Sequence, residues 1–481
     1  SVGWREDFPA PNLSAADFPA EDFTLLGAGR LFAKAYNDAF KYCHDSKQWW
    51  FWSGHVWRQD NSERFEAASK AIIDIGSVAA REAEIAEESY AKKLRTHVTK
   101  MANAPSPNVA RWARTEPDIR IQCDQLDAAS HAVTVSNGIL DLESQTLMPH
   151  DPKMLLTKQL PAVYDKDAAA PQWEAFLRQA LPNPVFRIYL QKAIGHTLLG
   201  DAEQRALFLL HGPSGTGKSV FIRVMEQLFG DFAETATPAT LNASSKTATL
   251  TNDLNDLKGK RFVSISELDE GETLNESLVK RLTGGDTAKS RGLWQENSKW
   301  RVQFTMWLAT NNLPRLNSDD NAIWRRMKPI PFTQVAADNG GEVLRLAEKM
   351  FTEEASGILN WALEGVRMYR EEGLPDPDEI RESVEAYRKE VDVVEQFMSQ
   401  ALEEGSLIAQ EDAEIAAGIL HHQYREWCHR NGLKGILQVR RFGARIERMG
   451  YTRKRVSAGI VWVGIGYGGN GMLGTMFPMR T

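Results

Sequence analysis

The chain has 481 residues, of which 42% are hydrophobic, enough for several domains with cores of their own. A net charge of −7 at pH 7 argues against non-specific wrapping of nucleic acid, although a local basic channel is compatible with it. No apolar run is long enough to cross a membrane, and the acidic, Pro-rich start lacks the pattern of a signal peptide, so a cytoplasmic protein with no membrane partner is expected. Cys43, Cys123 and Cys428 show neither metal spacing nor an even-numbered disulfide framework, which suits a reducing compartment.

The first part of the chain mixes helical and strand patterns. Apolar residues four apart between Leu31 and Phe40 predict a helix, and the Ala-, Glu- and Lys-rich stretch 61–101 predicts more helix. The aromatic stretch Trp49–Trp57 predicts two short strands that turn at Ser53-Gly54. Its tryptophans could stack on bases, but packing in a core is their commoner role and is preferred.

A second hairpin and a boundary follow. Val133–Leu142 alternates like two strands around an Asn-Gly turn. The run Ala168-Ala169-Ala170-Pro171 indicates a joint between this region and the next. Two separate domains are therefore expected on the two sides of it.

The strongest motif of the chain is a glycine loop between a strand and a helix. The apolar run Ala206–Leu210 and His211 lead into Gly212–Ser219, and apolar residues at helical spacing continue to Gly230. The motif predicts a nucleotide-binding loop formed by Gly212, Pro213, Ser214, Gly215, Thr216, Gly217, Lys218 and Ser219. Its glycines let backbone N–H groups point at phosphates, the lysine reaches the β- and γ-phosphates, and the serine can ligate Mg²⁺. ATP and Mg²⁺ are the expected ligands.

Two later strands are expected to end at the edge where this loop lies. Arg261–Ser266 reads as a strand that delivers Glu267, with Asp269 just beyond, and Phe304–Ala309 delivers Asn311. Ligands of open α/β sheets lie at the carboxyl ends of the strands. One site at this edge is therefore expected.

Basic residues occur in a third hairpin pattern. Lys289–Trp294 and Trp300–Gln303 read as two strands with Gln295–Lys299 as the tip. The cations could grip phosphates of a single strand, or they could simply protect an exposed strand edge.

The C-terminal region predicts helices at Val394–Leu402, Ile419–Cys428 and Val439–Met449, then a hairpin around Ser457-Ala458-Gly459. This order suggests a winged helix. A basic face could hold DNA, dock a partner or only maintain solubility; its residues are Arg440, Arg441, Arg445, Arg448, Arg453, Lys454 and Arg455.

The order of these motifs resembles the superfamily 3 helicases, in particular the helicase half of phage and plasmid primase–helicases related to the poxvirus enzyme. The residues that carry the resemblance are the Gly212–Ser219 loop, the Glu267 strand, Lys280–Asp286, Thr310–Pro314 and Ile323–Phe332. The flanks agree, since Gly29-Arg30, the tryptophan cluster and Asn137–Leu142 look like the domain that precedes these helicases. No primase or polymerase domain precedes residue 23, so the chain could be a fragment.

The resemblance implies an α/β fold with an AAA+-like P-loop ATPase core, a mixed α+β N-terminal domain and a C-terminal winged-helix domain. The expected limits are an extension (1–22), the N-terminal domain (23–170), the ATPase domain (171–335), a helical connector (336–390), the winged domain (391–465) and a flexible tail (466–481).

Roles follow from the resemblance. Glu267, or Asp269 as second choice, would polarise water, and Glu267 with Ser219 would hold Mg²⁺; Asn311 would contact the attacking water or the γ-phosphate. Arg326, with Arg325 second, looks like an arginine finger that reaches a neighbouring subunit, which implies a ring, commonly of six; its alternative is a surface salt bridge.

The expected activity is an ATP-dependent DNA helicase of a phage or plasmid, working on single-stranded and forked DNA in the bacterial cytoplasm. The family's pore hairpin corresponds to the third hairpin, with Lys289, Arg291 and Lys299 on phosphates. A primase or polymerase domain or protein is an expected partner. The rival interpretations are a small-molecule phosphotransferase with the same loop and a non-catalytic origin-binding module.

Overall fold

Among the described residues, a four-stranded sheet and four helices form the N-terminal part of the computed structural model. The structure describes residues 24–83, 88–103, 108–201, 203–237, 241, 256–265, 273–284, 287–290, 298–316, 321–334, 343–433, 436–457 and 459–468. The N-terminal elements are α1 (Leu25–Tyr36), β1 (Phe40–Cys43), β2 (Gln48–Trp52), β3 (Trp57–Gln59), α2 (Arg64–Ala83), α3 (Glu88–Asn103), α4 (Asn108–Ala113) and β4 (Arg120–Ile121). The sheet order is β3-β2-β1-β4.

The aromatic stretch forms the predicted hairpin and belongs to the core. Trp49 and Trp57 are buried, and Trp49 stacks on Phe65 with ring centroids 5.2 Å apart. The prediction that helix continues to Phe40 is wrong, because α1 ends at Tyr36 and Phe40 pairs with Phe51 across β1 and β2.

The prediction of a chain without a disulfide framework is also wrong. A disulfide joins Cys43 and Cys123, whose Cα atoms are 5.9 Å apart, while Cys428 is free and buried. The parallel pairing of Cys43 with Ile121 in β4 brings the two sulfur atoms together. Because 80 residues separate them, their spacing in the sequence carries no sign of this contact.

A three-stranded sheet follows and packs on the next domain. It contains β5 (Ala132–Val135), β6 (Gly138–Asp141) and β7 (Leu147–Met148). The predicted hairpin is present, but its turn is Ser136-Asn137, since Val135 pairs with Gly138. Gly138 instead permits the approach of β7, because a Cβ there would lie 2.3 Å from the carbonyl oxygen of Met148.

A helical layer covers one face of the central sheet. It consists of α5 (Pro171–Ala180), α6 (Pro184–Leu199) and α10 (Val343–Glu372), which bends at Glu354. Both oxygens of the buried Glu354 carboxylate accept N–H groups at the start of α5, from Gln172 and Trp173, at 2.9 Å each. The predicted joint is therefore packed against this helix, and one hydrophobic core extends from Val133 to Ile380 across it.

The strands of the central sheet among the described residues are β8 (Leu207–His211), β9 (Ala233–Ala236), β10 (Phe262–Ile265), β13 (Thr305–Thr310) and β14 (Met327–Pro331). These strands are parallel and lie in the order β14-β8-β13-β10-β9. The helices around them are α7 (Lys218–Phe229), α8 (Glu276–Leu282), α9 (Asn321–Trp324) and α11 (Asp378–Glu390). Phe208 and Leu210 pack on one face, and Leu207 and Leu209 on the other, so both faces are covered.

The third hairpin is formed by β11 (Thr287–Ser290) and β12 (Ser298–Arg301). The predicted strand bounds are shifted, because Lys299 pairs with Lys289 within the ladder and does not belong to the tip.

The C-terminal elements are α12 (Val393–Glu403), β15 (Leu407–Ala416), α13 (Ala417–Arg430), α14 (Val439–Arg448), β16 (Thr452–Val456) and β17 (Gly459–Tyr467). The three helices and the β16–β17 hairpin were predicted, but β15, which pairs with β17, was missed. Most of its residues are exposed, so it lacks the alternating pattern by which strands are found. Among the described residues, no helix is both long and apolar enough to span a membrane.

Candidate functional site: a glycine loop at the carboxyl edge of the sheet

The loop between β8 and α7 has the backbone form that its glycines predict. Gly212, Gly215 and Gly217 have positive φ angles of 142°, 77° and 92°. Residues that carry a side chain rarely adopt such φ angles, so glycine is required for this path of the backbone. Lys218 is also the first residue of α7, and the first N–H groups of a helix have no carbonyl partner within that helix.

Two of these glycines also lie against other parts of the protein. A Cβ at Gly212 would be 2.0 Å from the carbonyl oxygen of Phe332, and one at Gly217 would be 2.9 Å from the Phe176 ring. Phe176 lies on α5, which Glu354 caps from α10. Segments distant in sequence thus pack against the loop, whereas Pro213, Ser214 and Gly215 are exposed.

Lys218 is buried within the loop that precedes it. Its ammonium donates to the carbonyl oxygens of Gly212 and Pro213 at 2.6 and 2.7 Å, and to Thr216 Oγ1 at 3.3 Å. Thr216 in turn donates to Pro213, which closes the loop on itself. Ser219, the next residue, is exposed at the start of the helix, where its hydroxyl is accessible.

His211 was not singled out from the sequence, yet it borders the loop. Its Nε2 atom is buried and has no hydrogen-bond partner among the described residues. Burial, helped by the nearby Lys218 ammonium, lowers the pKa of His211 to about 4, so the ring is neutral at pH 7. A histidine at the end of a strand has no distinguishing spacing, so only the tertiary contacts reveal it.

The neighbouring strand brings Asn311 to the same edge. Thr310, the last residue of β13, pairs with His211, so Asn311 follows directly beside the start of the loop. Thr310 Oγ1 donates to the carbonyl oxygen of Asn312 at 2.6 Å and holds the turn that exposes Asn311. Beyond β13, β10 runs parallel and ends at the same edge; Glu267 and Asp269 follow it outside the described residues.

Arg326 lies at the opposite end of the sheet, where the strands begin. Its carbonyl oxygen accepts from Leu207, the first residue of β8, whereas the loop follows the last. Four residues of strand separate these ends by about 13 Å. The Arg326 side chain donates to Thr283 Oγ1 at 2.9 Å and to the carbonyl oxygen of Ala322 at 2.6 Å, and Arg325 is exposed. Arg326 therefore does not join the loop of its own chain.

The predicted DNA contacts lie in the third hairpin. The backbone places Lys289 directly opposite Lys299, and Arg291 lies outside the described residues. Of the C-terminal cations, Arg445 pairs with Asp392, and Lys454 pairs with Glu414 at 2.8 Å. The structure therefore keeps these two from the uniformly basic face that the sequence suggested.

Three families match segments of this chain. The family described as "D5 N terminal like" matches residues 29–182, a family of unknown function matches residues 210–326, and the family described as "Poxvirus D5 protein-like" matches residues 389–461. The chain thus carries D5-like segments on both sides of the loop domain, and the resemblance to relatives of the poxvirus enzyme is confirmed.

Related proteins come from large DNA viruses. "Putative helicase L207/L206" of Acanthamoeba polyphaga mimivirus is 25% identical over 76% of this chain and 40% of its own length. "Putative helicase 022R" of Frog virus 3 is 23% identical over 66% of this chain and 32% of its own length. "Putative primase C962R" of African swine fever virus is 23% identical over 42% of this chain and 22% of its own length. The chain spans less than half the length of these relatives.

Among solved structures, the A form apo structure of the NrS-1 C terminal region is similar over 89% of this chain and 96% of that chain. The identity is 10% and the TM-score is 0.47.

Proposed function

We propose that this chain is the ATP-driven motor of a DNA helicase that works as a ring. The observation that carries the proposal is the Gly212–Ser219 loop, an exposed backbone turn between a buried strand and a helix N-terminus, with a buried lysine at its base. Backbone N–H groups, a helix dipole and an ammonium group together suit the phosphates of a nucleotide. The relatives named helicase or primase support a role in replication.

The reaction would be hydrolysis of ATP. Lys218 would exchange its bonds to the loop carbonyls for bonds to the β- and γ-phosphates, and Ser219 would ligate Mg²⁺. Asn311, beside the loop, would orient the attacking water or bind the γ-phosphate. Glu267 is the first choice for polarising that water and holding the metal side, and Asp269 is the second.

The position of Arg326 supports a site shared between subunits. An arginine about 13 Å along the sheet from the loop, and bonded to Thr283 on its own chain, is poorly placed for its own nucleotide. In a ring, that edge would face the loop edge of the next copy, where the arginine could neutralise charge on the transferring phosphoryl group. A hexamer is the expected assembly.

The third hairpin is the proposed contact for single-stranded DNA. Like charges directly opposite each other destabilise a strand pair, and the register imposes this arrangement on Lys289 and Lys299. An anionic backbone between subunits would relieve the repulsion. Contacts to phosphates are independent of sequence, as a translocating motor requires.

We also propose folds for two of the domains and a biological setting. The central sheet would be an AAA+-like core of the superfamily 3 type, and the C-terminal elements, in the order helix, strand, helix, helix and hairpin, would form a winged helix. The setting expected from the sequence is a phage or plasmid in a bacterial cytoplasm, whereas the relatives named above come from large DNA viruses. The proposal is therefore replication of a viral or plasmid genome, with a primase or polymerase as partner.

A strand-displacement assay on forked DNA of both polarities, with ATP and Mg²⁺, tests the proposal. We expect unwinding of one polarity, ATP turnover stimulated by single-stranded DNA, and assembly into a ring on sizing with nucleotide. Full ATP turnover by a protein that stays monomeric under all nucleotide and DNA conditions would refute the motor. Phosphate transfer to a small acceptor, without stimulation by DNA, would establish a phosphotransferase instead.

A further inference from the structure

The C-terminal domain presents an exposed surface of arginines, which we name the basic face. Its members are Arg440 and Arg441 on α14 and Arg453 and Arg455 on β16; all four are exposed. Arg445 and Lys454 are left out because they are paired with Asp392 and Glu414.

Packing of α14 determines which side chains point outward. Phe442 and Ile446 are buried in the domain core, and Gly443 lies against the Trp462 ring, 3.3 Å from the position of a Cβ. At 3.6 residues per turn, the side of the helix opposite these residues contains Arg440 and Arg448, with the small Ala444 between them. The helix thus offers a cationic outer surface with no bulky side chain at its centre.

Charge within the domain is strongly segregated along the chain. Residues 440–455 contain seven Arg and Lys residues and one acidic residue, Glu447, whereas residues 392–426 contain eight Asp and Glu residues and one basic residue, Arg425. The two segments meet where Arg445 pairs with Asp392 and Lys454 with Glu414, and outside these pairs residues 440–455 keep a surplus of positive charge, which is typical of electrostatic steering. The basic face therefore fits a polyanion better than a purely solubilising role.

The form of the surface favours a duplex over a single strand. Single-strand sites stack bases on exposed aromatic rings, but between residues 439 and 456 the aromatic rings are Phe442, which is buried, and Tyr451, which is half-buried. An exposed helix of ten residues fits the major groove, which is about 12 Å wide, and an adjacent hairpin can follow the phosphates.

We propose that the basic face binds duplex DNA, with α14 in the major groove and β16 along the backbone. This site deepens the proposed function and rests on it, because a helicase at a fork meets the duplex that it is about to open. It is separate from the single-strand contact at the third hairpin.

Duplex affinity without nucleotide tests this site. Fluorescence anisotropy would follow a labelled blunt duplex and, separately, a labelled single strand over a range of salt concentrations. The variants are Arg440→Ala with Arg441→Ala and Arg453→Ala with Arg455→Ala. The control is Arg425→Ala with Arg430→Ala, which removes two exposed charges from α13 of the same domain.

We expect each basic-face variant to weaken duplex binding at least ~10-fold and to reduce the salt slope by about 2, one for each lost phosphate contact. Single-strand affinity, basal ATP turnover and the thermal unfolding midpoint should stay as in the wild type. An unchanged duplex affinity, an equal loss in the control, or a loss confined to the single strand would overturn the proposal. Failure of the motor itself is read separately, from ATP turnover and unwinding by the wild type.

Discussion

The Gly212–Ser219 loop and the basic face differ in how far their positively charged side chains are exposed. In the loop, one lysine is buried, and carbonyl oxygens of its own segment satisfy its ammonium. On the basic face, four arginines are exposed on a helix and an edge strand. The loop depends on backbone geometry that glycines permit, whereas the basic face depends on side chains and on the packing of α14.

This difference matches the anions that we propose for the two regions. A triphosphate is small, so a site for it gains from directed N–H groups and a single preorganised charge. A duplex is long and uniformly charged, so affinity comes from many exposed cations that each neutralise one phosphate. A substitution in the loop should therefore have a large effect on chemistry, and a substitution on the basic face a graded effect on binding.

Replacing the loop lysine should produce the largest effect. Lys218→Ala is expected to lower ATP turnover by roughly 1,000-fold, because the charge that meets the developing negative charge is lost. Steady-state phosphate release with single-stranded DNA measures it. Arg223→Ala is the matched control, since Arg223 is exposed on the same helix, and it should keep wild-type turnover. Wild-type turnover in Lys218→Ala would remove the contrast between the two regions.

The arginine at the far edge should have the next largest effect. Arg326→Ala is expected to keep nucleotide binding and to lose at least ~100-fold in turnover, because a finger acts on the transition state. Nucleotide binding by a fluorescent analogue and phosphate release measure the two parts; Arg223→Ala is again the control, and Arg325→Ala tests the second choice for the finger.

Mixing variants separates a shared site from a local one. A ring that mixes Lys218→Ala with Arg326→Ala subunits contains some interfaces with an intact loop on one side and an intact arginine on the other. Turnover should therefore reappear in the mixture although each variant alone is inactive. Absence of any recovery in rings shown to be mixed would contradict action between subunits.

The third hairpin should have a moderate effect on binding. Lys289→Ala with Lys299→Ala is expected to reduce the salt slope of single-strand binding by up to about 1.4, at about 0.7 for each phosphate contact. Unwinding should fall more than basal hydrolysis, and duplex binding through the basic face should persist. Anisotropy titrations and strand displacement check this, and unaltered unwinding would move the DNA path elsewhere.

The neutral His211 beside the loop should give the smallest effect, on stability. Its pKa of about 4, against an ordinary 6.5, means that the unfolded chain binds this proton between pH 6.5 and 4 while the folded chain does not. Stability from the neutral ring is complete above pH 6.5 and is lost as the pH falls through this window, by about 2 kcal/mol between pH 7 and pH 5.

Thermal or urea unfolding across this pH range measures the histidine effect. His211→Gln should flatten the decline, whereas His422→Gln, at an exposed position on α13, should leave it as in the wild type. An equal decline in wild type and His211→Gln would show that the neutral ring contributes nothing to it.

Local pattern was sufficient for the elements that form the loop and its surroundings. The strand before the loop and the helix after it lie where apolar spacing and glycine predict them. These features are readable because each depends on neighbours within a few residues. The same holds for the buried tryptophans, since a cluster of large aromatic residues has few alternatives to a core.

Contacts between distant residues decided the rest. The pairing of Cys43 with Cys123, the cap of α5 by Glu354 and the ion pair of Arg445 with Asp392 all join segments that no spacing relates. The end of the sheet at which Arg326 lies follows from the direction of β14, which runs parallel to β8 so that both strands begin there. The residue types thus predicted the chemistry, while burial and the direction of the strands determined which charged side chains are available for it.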